Sequence, residues 1–363
     1  MPWGDPATTR LRRQADRSIN YAVGVNTPTT LEHVGLLRRL RLINRLNITL
    51  VPGGGTVVRD NQGPWNLFAN ILIRVSGLDL LYQVSGWGAY LIDLLTTMAY
   101  APDNAPAVVT NNTTTGEIFS FPTAGAGVDL VFALDLPFTA PLLGFEDLGL
   151  WLIQNETVNM EVVPTYNNLG GATRLGQPYV LAGGATATVN SGSTAIWRDF
   201  FGVPARAEDM PPLGYVHQWE EQFDSITGSQ VDISHQRGGI LLRLAYQVID
   251  ADSTGGGANI INGISNANLT GLEFKYDAND TPFDEDVFAV LQRQRELYER
   301  DLPQGVYSHD LFSDTHTLQD SYNTENYINI KTRFRFAKSL VAGSHIRTLR
   351  ERLLPVVVNT AAG

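Results

Sequence analysis

Residues 61–95 read NQGPWNLFANILIRVSGLDLLYQVSGWGAYLIDLL. Gly63 and Pro64 read as a turn, because the proline ring presets φ for that geometry. Leu67, Ile71, Ile73 and Val75 then alternate as the buried side of a strand. Ser76-Gly77 and Ser85-Gly86 punctuate the run. After Trp87 the spacing changes, and Tyr90, Leu91, Leu94 and Leu95 fall on one side of a helix. No nucleophile with a base, no metal-ligand pair and no phosphate loop interrupts these elements. The stretch builds a shape and brings no chemistry with it.

The same grammar fills the rest of the chain. Strand-like segments recur at 40–51, 70–77, 128–138, 148–166, 184–201, 214–223, 239–251, 270–278 and 326–337. Gly, Pro, Asn and Asp separate them, among 34 Gly and 18 Pro in 363 residues. Many short strands without alternating helices predict an all-β protein of sandwiches rather than βαβ units. Three segments depart from the pattern. Residues 86–99 predict one helix. Residues 281–300 predict another, with Thr281 as N-cap, Pro282 at the first helical position and Asp284, Glu285 and Asp286 in the first turn. Its buried stripe is Phe283, Val287, Val290, Leu291 and Leu297. Residues 8–18 predict a short basic helix.

Each half therefore has a run of strands with one helix inserted late. Two β domains in tandem is the simplest description. The Gly-rich segment 167–183 is placed as their connection. The expected division is a basic N-terminal arm at 1–18, a first domain at 19–172, a second at 173–346 and a C-terminal arm at 347–363.

Apolar residues make up 43% and charged residues 17% of the chain, which suits globular domains with sizeable cores. The absence of cysteine excludes disulfides and thiolate metal sites, and fits synthesis in a reducing cytoplasm. No signal peptide and no membrane-length apolar run is legible. The net charge of −11 is polarised. Residues 1–45 carry eight Arg against three acids, and residues 331–363 carry seven basic groups against one acid. Basic ends on an acidic body suggest that the ends face an anionic lipid surface or nucleic acid, with two solvated tails as the alternative. Arg10, Leu11, Arg12, Arg13 and Arg17 at one end, and Arg347, Arg350 and Arg352 at the other, are the candidate contacts.

Catalytic patterns are absent from the sequence. VPGGGTVV (51–58) lacks the Lys-Ser/Thr of a phosphate loop. The six histidines are scattered. The nearest approach to a metal set is His309, Asp310, Asp314 and His316, which reads as ordinary loop. No cofactor is expected. Two rival classes remain: a two-domain cupin-like enzyme, which needs clustered His and Glu, and a carbohydrate-binding spike or adhesin, which needs aromatics on one loop face.

Four motifs in order resemble the double jelly-roll major capsid proteins of tectivirus-like, tailless, membrane-containing bacteriophages. HVGLLRRLRL (33–42) is similar to an early strand of that family. Gly63, Pro64, Asn66 and Leu67, followed by Ser85, Gly86 and Trp87, resemble its Gly-Pro-x-Asn-Leu and Ser-Gly-Trp. Pro303, Gly305, Val306 and Tyr307 are similar to its Pro-x-Gly-Val-Tyr after the second helix. Leu318-Gln319 before the strand 326–337 follows its closing order. The resemblance implies two tandem jelly rolls, each with an inserted helix, and a structural role without catalysis. It implies homotrimers that form pseudo-hexagonal tiles of an icosahedral virion shell over an internal membrane. The implied partners are neighbouring trimers, the membrane and minor capsid or vertex proteins, with no sequence-specific nucleic acid.

Overall fold

The computed structural model describes residues 10–75, 78–96, 119–142, 145–153, 159–171, 176–204, 206, 209–211, 213–251, 263–277, 280–299, 301–311 and 321–355. Residues 1–9 of the expected arm, 97–99 and Arg300 of the expected helices, Asp314, His316, Leu318, Gln319 and 356–363 lie outside them.

Strand alternation makes the first sandwich. In Leu36–Val51, Leu40, Leu42, Leu46, Ile48 and Leu50 point inward and are buried, while Arg39, Arg41 and Arg45 point outward. This strand lies between Thr186–Phe201 and Gly125–Pro137, and Leu11–Asn20 closes the far edge. The facing sheet is Thr29–Thr30, Met160–Tyr166, Phe68–Val75 and Leu78–Val84, in that order. Ile71, Ile73 and Val75 enter the core as the alternation predicts.

The second sandwich is built from two very long strands, Tyr215–His235 and Ile330–Pro355. Each runs through both sheets. Their pairing breaks register around Ile226, Gly228 and Gln230, where Gly228 and Gly343 take positive φ, so the ribbon turns a corner. On one side of the corner, Ile240–Ile249 and Val306–Asp310 extend the sheet. On the other, Leu269–Tyr276 and Asp280–Asp286 do so.

Four expectations are corrected by this pairing. The segment 8–18 is no helix: Leu11–Asn20 is a strand paired with Thr186–Phe201. So short a basic segment cannot hold a helix alone, whereas Arg198 binds Asp16 at 3.0 Å and Arg13 binds Asp199 at 2.8 Å across the strand pair. Second, Asp280–Asp286 is a strand, because hairpin pairing with Leu269–Tyr276 takes up Thr281 to Glu285. Pro282 is tolerated there because this is an edge strand. Helix α2 is therefore Val287–Tyr298, capped by Asp286, whose carboxylate accepts from the amides of Phe288 and Ala289. Third, the boundary placed at 172/173 falls inside the first sandwich, since Thr186–Phe201 pairs along its length with Leu36–Val51. Fourth, no arm begins at 347: the strand Ile330–Pro355 runs through it.

Helix α1, Gly86–Thr96, follows Leu78–Val84 directly and is buried on nearly every side. The two sandwiches meet at its base. Tyr82 and Gln83 pair in parallel with Trp219 and Glu220, which joins one sheet of the first sandwich to the second.

Candidate functional site

The junction between the sandwiches is where the sequence motifs converge. Gly63-Pro64 opens a short turn in which the Gly63 amide donates to the Asp60 carbonyl at 3.0 Å. Asn66 is buried, and its amide nitrogen donates to Asp60 Oδ1 and to the Gln177 carbonyl at 3.0 and 2.8 Å. Leu67 enters the first core. The turn thus fixes Trp65, which stacks on Tyr90 of α1 with ring centroids 3.8 Å apart. Gly86 is required by the same contact: a Cβ there would fall on the Trp65 carbonyl oxygen.

Ser85, Gly86 and Trp87 then bind the second sandwich. The Gly88 amide donates to Ser85 Oγ at 3.0 Å, so Ser85 caps α1. The Ser85 amide and hydroxyl both donate to Glu221. Trp87 Nε1 donates to Gln247 Oε1 at 2.9 Å, and Arg347 donates to the same oxygen at 3.2 Å. Arg347 also pairs with Glu221 at 2.6 Å. A Cβ on Gly88 would lie 2.6 Å from the Glu221 carboxylate, so the glycine allows close approach.

A second buried set lies beside it. Arg243 pairs with Asp310 at 2.9 Å and Glu351 at 3.3 Å, and donates to the Leu95 carbonyl near the end of α1 at 3.2 Å. His217 Nε2 lies 2.8 Å from Glu351. Burial alone would raise the Glu351 carboxyl, but Arg243 and His217 hold it below its ordinary value. Burial pushes the Arg347 guanidinium down, opposed by Glu221. Buried charges persist in pairs because an isolated one is too costly.

Arg347, Arg350 and Arg352 are thereby corrected. All three are buried in the strand Ile330–Pro355, and Arg350 and Arg352 pair with Glu220 at 2.9 and 3.0 Å. They form no exposed basic patch. Charge counting along the chain missed partners more than a hundred residues away. At the other end, Arg10, Leu11, Arg12, Arg13 and Arg17 are exposed, with Arg13 held by Asp199. Burial would raise the Asp199 carboxyl, but hydrogen bonds from Arg13 and Arg39 bring it below its ordinary value.

Pro303, Gly305, Val306 and Tyr307 shape the second sandwich. The Val306 amide donates to the Pro303 carbonyl at 3.0 Å, and Gly305, at φ +78°, packs against Gly263 with no room for a Cβ. Tyr307 is buried and donates to Asn266 at 2.8 Å. Sequence reading missed Glu221, Arg243, Gln247 and Glu351. The available signal was a charged or amide residue inside an otherwise apolar strand, as in ILLRLAYQVI (240–249). Among the described residues, no three His, Asp or Glu side chains cluster as a metal site.

No protein-family model and no curated protein matches the chain. Solved structures do. The crystal structure of the STIV MCP aligns over 98% of this chain and 99% of its own, at 15% identity and a TM-score of 0.67. The PBCV-1 virus capsid aligns over 95% and 93%, at 11% and 0.62. The major capsid protein of bacteriophage PM2 aligns over 96% and 99%, at 10% and 0.54. The fold is the double jelly roll. The likeness extends along the whole of each chain, so both jelly rolls and their linkage are shared. In this double jelly roll the SGW motif bonds the first roll to the second, and the GPWNL turn fixes the helix that carries it.

Proposed function

We propose that the protein is the major capsid subunit of a virion. The observation that carries this reading is the end-to-end likeness to double jelly-roll capsid proteins, roll for roll and with almost no excess length on either side. The junction supports it. A shell subunit needs two rolls held at a fixed mutual angle, and a continuous sheet with buried, paired charges supplies that rigidity. The finer reading is a homotrimer whose six jelly rolls form a pseudo-hexagonal tile. Tiles contact neighbouring tiles and vertex or minor capsid proteins in an icosahedral shell over an internal membrane. Arg10, Arg12 and Arg17 are the groups left to meet that membrane.

Light scattering of the purified protein tests the trimer. The expected mass is three times that of the chain across a wide concentration range. A monomer that persists at all concentrations contradicts the reading.

A further inference from the structure

Arg350 and Arg352 stand two residues apart in the strand Ile330–Pro355, so both point to one face of the sheet. That face is the interior of the second roll. Leu244 and Leu241, both in its core, flank the two arginines on one neighbouring strand, and Glu220 and Gln218 flank them on the other. The alternate residues Arg347 and Glu351 point the opposite way, to the junction. The carboxylates on that side are taken up by Arg243, His217 and Arg347.

Glu220 is left to serve both arginines. It pairs with Arg350 at 2.9 Å and with Arg352 at 3.0 Å, and Gln218 adds only a neutral acceptor for Arg352 at 2.8 Å. Two positive charges thus meet one negative charge. The arginine side chains are 4% and 6% exposed, so bulk water does not make up the difference. No other group on this face supplies a second negative charge. Burial holds His235 down to about 3, which leaves it neutral, and burial pushes the Tyr246 hydroxyl up, which leaves it protonated. Asp224 lies further along the same face, bonded to Gln222 at 2.9 Å, and pairs with neither arginine.

The imbalance is peculiar to this place. Among the described residues, the other buried arginines are Arg198, Arg243 and Arg347, and each has a carboxylate shared with no other guanidinium. Arg13, Arg39 and Arg41 outnumber Asp135 and Asp199, but that set is open to solvent. The surplus charge comes with unused donors. Arg350 Nε, Arg352 Nε and the hydroxyl of Thr348, next on the same face, are buried without a hydrogen-bond partner. Burial, opposed by Glu220, pushes the Arg352 guanidinium down, and Arg350 lowers it further.

We propose that Arg350, Arg352 and Thr348 form a binding site for one small oxyanion of single negative charge, such as dihydrogen phosphate. One such ion balances the set, and its several acceptor oxygens suit donors from two guanidiniums and a hydroxyl. Glu220, at 26% exposed, is the member that reaches solvent and marks the entrance. The occupant is a free ion, because the guanidiniums lie almost wholly beneath the surface, out of reach of a phosphate tethered to a polymer or a bilayer. The site lies within one chain and does not depend on the shell-subunit reading.

Equilibrium dialysis of the purified protein with labelled inorganic phosphate at pH 6, in a chloride background of fixed ionic strength, reads the site directly. Saturable binding of one phosphate per chain is expected, and no saturable binding overturns the proposal. Displacement of the label by an oligonucleotide or by anionic vesicles would place the site at the surface and overturn the buried-ion assignment. Arg352→Gln leaves Arg350 and Glu220 as a balanced pair, and is expected to fold and to bind phosphate at least about tenfold more weakly. The melting temperature of the parent should rise in phosphate by more than that of Arg352→Gln, whose rise measures the general salt effect. Equal rises overturn the proposal. Glu220→Gln is the second variant: it enlarges the surplus charge and is expected to tighten phosphate binding at least about tenfold. Unchanged or weaker binding by Glu220→Gln overturns the proposal.

Discussion

At the scale of the residue, the junction depends on a few side chains with no substitute. Arg243 neutralises Asp310 and Glu351 where water cannot reach. Removing one partner of such a set leaves the other charges buried and uncompensated, which costs about 3–5 kcal/mol. Arg243→Ala should lower the unfolding free energy by that amount in a denaturant titration, and a loss below about 1 kcal/mol would mean that water solvates the site. Gly86→Ala should prevent soluble expression or cost several kcal/mol, since the methyl collides with the Trp65 backbone. The basic N-terminal edge makes a separate prediction. Each of Arg10, Arg12 and Arg17 near an anionic leaflet contributes about 1 kcal/mol of attraction, screened by salt. The triple Gln variant should lose flotation with anionic vesicles, whereas equal flotation would remove this edge from the lipid contact. Of these residues, Gly86 and Trp87 stood out in the sequence as a motif. Glu351 and Arg243 did not, because a paired buried charge and a solvated one look alike until the partner strand is known.

At the scale of the element, α1 and α2 differ in what surrounds them more than in their own spacing. The apolar period announced α1, and its first residue came out as expected. For α2 the acidic run before it predicts a helical first turn, but strand pairing claims Asp284 and Glu285, which bind Arg335 and Arg293. Local charge preference favours a helix start there, and hairpin pairing outweighs it. The N-terminal strand shows the same physics: its partner lies about 180 residues away, beyond any local pattern. Substitutions in α2 separate its two faces. Val287 is buried, so Val287→Asp should cost several kcal/mol by burying an unpaired charge. The Asp286→Ala variant loses the cap and should cost about 1 kcal/mol. Thermal melts of both, compared with the parent, check the assignment. Equal melting of Val287→Asp and the parent would contradict the packing of α2 on its own roll.

At the scale of the molecule, stability is coupled to pH. His235 and His309 are buried in the second roll, and burial holds each imidazole down to about 3. Arg350 and His309 add to the effect at His235, and Arg293 adds to it at His309. An unfolded histidine titrates near 6.5. Between those values the unfolded chain binds more protons, so stability is full above about pH 6.5 and falls as the pH drops. The steepest loss is about 1.4 kcal/mol per pH unit for each histidine. Urea midpoints should therefore decline from pH 7 to pH 5, and a flat series would mean that these histidines are protonated in the folded state. The double jelly roll itself was legible, because alternation, turn residues and four ordered motifs all point to it. The division between the rolls was not, because long-range pairing of Thr186–Phe201 and not local composition decides it.

The central claim, proposed above, is a homotrimeric capsid tile of six jelly rolls. Electron microscopy of the purified protein tests it most directly. Class averages are expected to show a hexagonal outline with six lobes and threefold symmetry. Two-lobed single particles, or rings with any other number of lobes, would contradict the account.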